Sequence, residues 1–149
     1  MRLVVRSSQP SDRRNRADRL RPGGKGPLLY IAADQDSTAL FTRIARRWEQ
    51  EVHLLVAEGG RAGLRMAGQR RPRIVVLEAR LPDVGAEEVV LRLRDSFPAT
   101  PVVVLSDDDS PSTRARFIWA GANAYITKPL SVAQIDRTVA DLLAIEALW

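Results

Sequence analysis

From Leu28 onward the chain alternates short, continuous apolar runs with longer stretches of helical periodicity. The runs Leu28–Ala33, Val52–Ala57, Ile74–Glu78, Val102–Ser106 and Ala124–Thr127 read as strands. Their apolar character is continuous instead of alternating, which is what a sheet covered on both faces requires. Between and after them, periodic segments predict helices over Ser37–Trp48, Arg61–Gln69, Ala86–Phe97, Pro111–Ala120 and Ser131–Leu148. Leu40, Phe41, Ile44, Ala45 and Trp48 form a core-facing stripe on the first helix. Val132, Ile135, Val139, Leu142, Leu143 and Leu148 do so on the last, with Ser131 as its N-cap. Five strand–helix units predict an α/β fold, a doubly wound parallel sheet with right-handed crossovers and helices on both faces.

Residues 1–27 break this pattern. After Leu3-Val-Val5 they mix Ser, Arg, Asp and Gln and end in Pro22-Gly-Gly-Lys-Gly-Pro27. Such a composition buries too little surface to offset its ordering entropy, so it predicts a flexible arm ahead of a domain over 28–149. Charge divides the same way. The arm holds eight basic residues and two acidic ones, whereas 28–149 is nearly neutral. A basic arm can bind nucleic acid through counterion release. It has no aromatic residue to stack on bases, and the other reading is a solvated tail.

Composition also removes several functions. There is no cysteine, hence no disulfide, thiol catalysis or Cys-based metal site. The single histidine, His53, cannot build a His-rich site and reads as a strand-edge residue. No run approaches the length of a membrane span, and the Arg-rich start lacks a secretory apolar stretch, so a cytoplasmic location and no membrane contact are expected.

Three strands end in chemistry. Glu78 closes the third, Ser106 the fourth, and Lys128 follows the fifth. Ligand chemistry in open parallel sheets gathers at those carboxyl ends. The segments Glu78-Ala-Arg-Leu-Pro82-Asp-Val-Gly85, Val102-Val-Val-Leu-Ser106 and Gly121-Ala-Asn-Ala-Tyr125-Ile-Thr-Lys128-Pro129 together resemble the receiver domain of bacterial response regulators. The resemblance covers residues 28–147 and implies a flavodoxin-like sheet of order 2-1-3-4-5. It also implies that Ser106 and Lys128 occupy phosphoryl-contacting positions and that Tyr125 stands where an aromatic changes rotamer with the state of the site. Tyr125 can equally be a half-buried cap on the sheet. Gly121 fits the turn before the fifth strand.

Two departures alter what the resemblance implies. In the family the position of Glu78 carries the phosphorylated Asp, and two acidic residues after the first strand hold a divalent metal. Here Ala32 and Ala33 fall there, with Asp34 as the alternative if the register slides by one. Mg²⁺ needs carboxylates in a near-octahedral oxygen shell, so its binding is expected to be lost or weak, with no cofactor and no catalytic residue. Glu also moves the carboxylate by about 1.5 Å relative to Asp, enough to spoil in-line transfer. Lys128 or Ser106 bonded to Glu78 would then imitate an activated state without chemistry, or would merely tie the strand ends together. Asp107-Asp-Asp109 reads as a solvated cap for the fourth helix, with Asp83 as a remote candidate for cation binding.

The expected function is a stand-alone, phosphorylation-independent interaction module, because the chain stops within the last helix. The resemblance implies that its partner, or a second copy, docks on the face of the fourth helix, fifth strand and fifth helix. Asn123-Ala124 stands where acidic residues of the family's dimer network often occur, so the apolar end Leu142–Trp149 would supply the contact instead, or would simply pack on the sheet. A phosphorylatable receiver with an unusual metal site, and a nucleic-acid regulator using the arm, are the alternatives.

Overall fold

A computed structural model describes residues 26–147, with side chains of the last helix described through Leu143. The arm expected over 1–27, apart from Gly26 and Pro27, lies outside the described residues. The elements run β1 (Leu28–Ala32), α1 (Gln35–Ala45), a 3-10 turn (Arg46–Trp48), β2 (Leu54–Glu58), α2 (Gly60–Arg70), β3 (Ile74–Glu78), α3 (Ala86–Ser96), β4 (Val102–Ser106), α4 (Pro111–Ala120), β5 (Ala124–Thr127) and α5 (Val132–Ala147). The strands pair in parallel in the order β2-β1-β3-β4-β5, as expected for the flavodoxin-like fold.

Every residue of β1, β3 and β4 is buried, which is why these runs carry no alternation. Neighbouring residues on a strand face opposite layers. Leu29, Ile31, Val75, Leu77, Val102, Val104 and Tyr125 pack against α2, α3 and α4. Leu28, Tyr30, Ala32, Val76, Val103, Leu105 and Ile126 pack against α1 and α5. α2 lies unusually close, since a Cβ on Gly63 would come within 2.5 Å of Ile31 Cδ1. Gly121 ends α4 at φ 121°, a conformation that L side chains rarely adopt.

Several expected bounds move for identifiable reasons. α1 starts two residues early because Asp34 is its N-cap, in extended backbone and accepting from Ser37 N at 2.7 Å. The same helix tightens to 3-10 at Arg46. Leu40, expected in the core stripe, is 44% exposed, because it lies about 100° around the helix from Phe41. β2 begins at Leu54, not Val52, because the amides of Glu51 and Val52 both turn back to Trp48 O. Exposed His53 gives the sheet only its carbonyl, which accepts from Leu28 N at 2.8 Å. In α5 Ile135 and Val139 are buried, but Val132 in the first turn is 42% exposed, and Leu148 lies outside the described residues. Ser131 Oγ caps this helix by accepting from Gln134 N at 3.2 Å.

Candidate functional site

Register sets the depth of each polar group at the carboxyl edge of the sheet. Glu78 is the last residue of β3 and pairs with Leu105, while Ser106 pairs with Thr127. Lys128 N donates to Ser106 O at 2.7 Å, which carries the β4–β5 ladder one residue past the strand and holds Lys128 over the edge. Glu78 lies on the same face as Ile74 and Val76, towards α1 and α5. Its residue exposure is only 4%, so its carboxylate needs internal partners.

It has two. Lys128 Nζ donates to Glu78 Oε1 at 2.5 Å. The Tyr30 hydroxyl donates to Glu78 Oε2. Tyr30 sits in the middle of β1, paired with Val76, and its fully buried ring stacks on Phe41 with centroids 4.2 Å apart and planes 11° apart. Burial above all, then the charge and hydrogen bond of Glu78, push the Tyr30 phenol far above its ordinary range. It therefore stays a protonated donor. Sequence reading did not single out Tyr30. The available signal was a phenol inside the apolar run Leu28-Leu-Tyr-Ile-Ala32, since a buried hydroxyl requires an acceptor.

Ser106 reaches the same edge but is turned elsewhere. It is 5% exposed, and its Oγ accepts from Asp108 N at 3.0 Å. Tyr125, expected either half-buried or switching, is 4% exposed. Its hydroxyl donates to Asp108 O at 2.5 Å, its ring meets Phe117 at 5.8 Å, and the Arg114 guanidinium lies 5.0 Å from its centroid. Glu78, Ser106, Lys128, Asp107 and Arg80 line one cleft of about 220 Å³ at this edge. A second, of about 380 Å³, opens beside it over Ala32, Ala33, Asp34, Glu58 and Pro82.

The remaining acidic candidates are occupied by main-chain amides. Asp34 caps α1, and the Ser37 amide holds its carboxyl below the usual range. Asp83 accepts from Gly60 N at 2.8 Å and Arg61 N at 3.1 Å, and these amides lower its pKa. That bond ties the loop after β3 to the start of α2. Asp108 accepts from Ser110 N at 2.9 Å and Thr113 Oγ1 at 2.8 Å, and the Ser110 amide chiefly lowers its pKa. Of the three consecutive aspartates, Asp108 thus braces the start of α4, where Ser110 is the N-cap, and Asp107 faces Arg80 at 3.8 Å. Among the described residues no three Asp, Glu or His side chains converge on a point that could hold a metal ion.

At the opposite end of the sheet lies a clamp that the sequence did not reveal. Arg94 Nη2 donates to Gly121 O at 2.6 Å and to Asn123 Oδ1 at 2.7 Å, and Nη1 donates to Pro98 O and Thr100 O, both at 2.9 Å. Asn123 Oδ1 also accepts from Val102 N at 2.8 Å. Asn123, just ahead of β5, therefore joins α3 to the start of β4.

Comparison with known proteins agrees with this architecture. The family described as the response regulator receiver domain matches residues 29–140. The transcriptional regulatory protein TrcR of Mycobacterium tuberculosis is 32% identical over 126 residues, covering 83% of this chain and 48% of TrcR. The transcriptional regulatory protein PrrA of the same organism is 34% identical over 116 residues, 78% of this chain and 49% of PrrA. The chain thus spans about half the length of the curated relatives it matches. The signal receiver domain of a LuxO repressor protein from Vibrio parahaemolyticus superposes with a TM-score of 0.73 at 22% identity, covering 83% of this chain and 94% of that one.

Proposed function

The chain belongs to the response-regulator receiver family of two-component signalling, and on that premise we propose that it is a receiver whose output does not depend on phosphorylation. Glu78 acts as a built-in fixed charge, and signalling proceeds through protein contacts. One observation carries this reading: Lys128, which stands at the family's phosphoryl-contacting position, is bonded to Glu78 Oε1 at 2.5 Å with Glu78 4% exposed. The cation that would contact a phosphoryl group already has its anion, supplied by the chain itself.

The donor set does not fit the family's metal. Ala32 and Ala33 offer methyl groups, Asp34 is bound to the Ser37 amide, and Glu78 is bound to Lys128. A divalent cation requires several oxygen ligands at once, so no step here is assigned to one. Without it, charge developing on a transferring phosphoryl would lose its main stabiliser.

The proposed output surface is the side formed by α4, β5 and α5, and Tyr125 is the link to it. Its hydroxyl holds the loop before α4 in place, and α4 carries Ile118 at 44% exposure, one turn on from Arg114, which covers the Tyr125 ring. Residues 1–27 lie almost wholly outside this geometry, and nothing in it favours the nucleic-acid reading.

Incubation with acetyl phosphate and Mg²⁺, followed by intact mass, tests the proposal. The expected result is no adduct, with amide resonances of α4 and β5 unmoved by beryllofluoride and Mg²⁺. A metal-dependent phosphoryl adduct on Glu78 would overturn it.

A further inference from the structure

We propose that Tyr30 is a positioning residue that closes this site: it fixes the Glu78 carboxylate against Lys128 and thereby keeps position 78 unavailable to phosphoryl chemistry. The inference rests on the fixed-charge reading above and adds a residue and a cause to it.

A carboxylate has two oxygens, and both of Glu78's are engaged by this chain, Oε1 by Lys128 and Oε2 by Tyr30. A nucleophilic or metal-binding carboxylate must present an oxygen outwards, and this one is held from two sides. The Tyr30 ring has little freedom to withdraw. It is fully buried, stacked on Phe41, and flanked in its layer by Ala32 and Val76. Its hydroxyl is buried, so a retreat from Glu78 would forfeit its charged acceptor and leave only the Ser37 side chain beside it.

The length of the side chain at position 78 follows from the same geometry. Tyr30 approaches from β1 on one side of β3, and Lys128 from the end of β5 on the other. A glutamate reaches both. An aspartate would draw its carboxylate back by about 1.5 Å and would lose at least one of the two contacts. Tyr30 and Glu78 are thus one unit. Returning an aspartate and the metal carboxylates would leave the phenol in the site, free to bond the new acceptor. The neutral state of the phenol supports this, because only a protonated hydroxyl can donate.

Three chains are compared: wild type, A32D/A33D/E78D, and the same triple variant with Tyr30→Phe, which deletes one oxygen and keeps the ring on Phe41. Each is incubated with beryllofluoride and Mg²⁺ and read by ¹⁹F NMR. The Glu78 carboxyl ¹³C resonance is recorded for wild type and for Tyr30→Phe alone. Wild type is expected to form no adduct. The chain with Tyr30→Phe is expected to bind beryllofluoride about tenfold more tightly than the triple variant, the factor that one hydrogen bond to a charged group implies. Equal binding by the two would overturn the role of Tyr30 and leave the fixed-charge reading standing. An adduct on wild type would overturn the fixed-charge reading instead. Should neither variant bind, the carboxyl resonance decides: it is expected to shift in Tyr30→Phe, and an unmoved resonance would overturn the proposal. Tyr30→Leu in wild type, which removes the ring as well, separates lost packing from the lost hydroxyl, since only the packing differs between the two variants.

Discussion

The two tyrosines of the chain point to opposite faces of one sheet and hold their hydroxyls in different ways. Tyr125, on β5, donates to a main-chain oxygen, the carbonyl of Asp108. Tyr30, on β1, donates to a side chain, the carboxylate of Glu78. A main-chain acceptor is present whatever residue occupies the position, so Tyr125 depends on the path of the β4–α4 loop alone. A side-chain acceptor exists only while residue 78 is an acid of the right length. The Tyr125 contact is therefore a property of the fold, whereas that of Tyr30 depends on the residue at position 78.

Removing the acceptor should separate the two most sharply. Glu78→Ala takes the charged acceptor from the buried Tyr30 hydroxyl and the anion from Lys128, and is expected to cost about 3 kcal/mol. The ammonium's route to solvent limits the loss, since the Lys128 side chain is 31% exposed. Urea denaturation measures it. The Tyr125 hydrogen bond should survive, so ¹⁵N shifts around Asp108 should move far less than those around Tyr30. Comparable movement at both would erase the distinction.

The Tyr30 phenol should also be visible under alkali. The ordinary tyrosine pKa is 10.0, and that of Tyr30 is raised well above it in the folded protein. A raised folded pKa favours the protonated form, so its stabilising contribution is complete below pH 10 and is lost as pH rises beyond it, where only the unfolded chain ionises. Tyr30→Phe is expected to cost about 2 kcal/mol at neutral pH. It should also flatten the fall of the urea midpoint between about pH 9 and pH 11. Tyr125→Phe should cost about 1 kcal/mol. A double-mutant cycle would show coupling to Glu78 for Tyr30, and for Tyr125 additivity within about 0.5 kcal/mol.

The smallest effect lies at the acid limb. Asp34, Asp83 and Asp108 have carboxyls held below their ordinary 3.8 by main-chain amides. A depressed folded pKa gives stability that is present above the unfolded value and lost as pH falls through the folded one. Asp108→Asn should therefore shallow the loss of stability below about pH 4. It should leave the Tyr125 bond intact, because that bond goes to the carbonyl and not the carboxylate.

Much of the site was legible before any coordinates. The continuous apolar runs announced strands covered on both faces, and their last residues announced Glu78, Ser106 and Lys128 at one edge. The resemblance added Tyr125. Ser106 was legible in place but not in direction: its hydroxyl accepts from the Asp108 amide two residues on, a turn contact that competes with any bond to Glu78. Asp83 read as a remote cation ligand, but its carboxylate caps α2 from 23 residues away. Arg94 carried no signal in the sequence, and its guanidinium collects carbonyls from two loops.

The order of strands and helices was determined by the sequence itself, because periodicity and continuous apolarity are properties of adjacent residues. So was the presence of two methyl groups, at Ala32 and Ala33, after the first strand, which is a matter of identity and not of shape. What only the tertiary structure decided is the use of each oxygen on Glu78. Its donors lie 48 and 50 residues away, on strands either side of β3. No local pattern encodes such pairs. They arise because parallel register places β1, β3 and β5 at fixed depths, and a shift of one residue would turn Tyr30 to the other face.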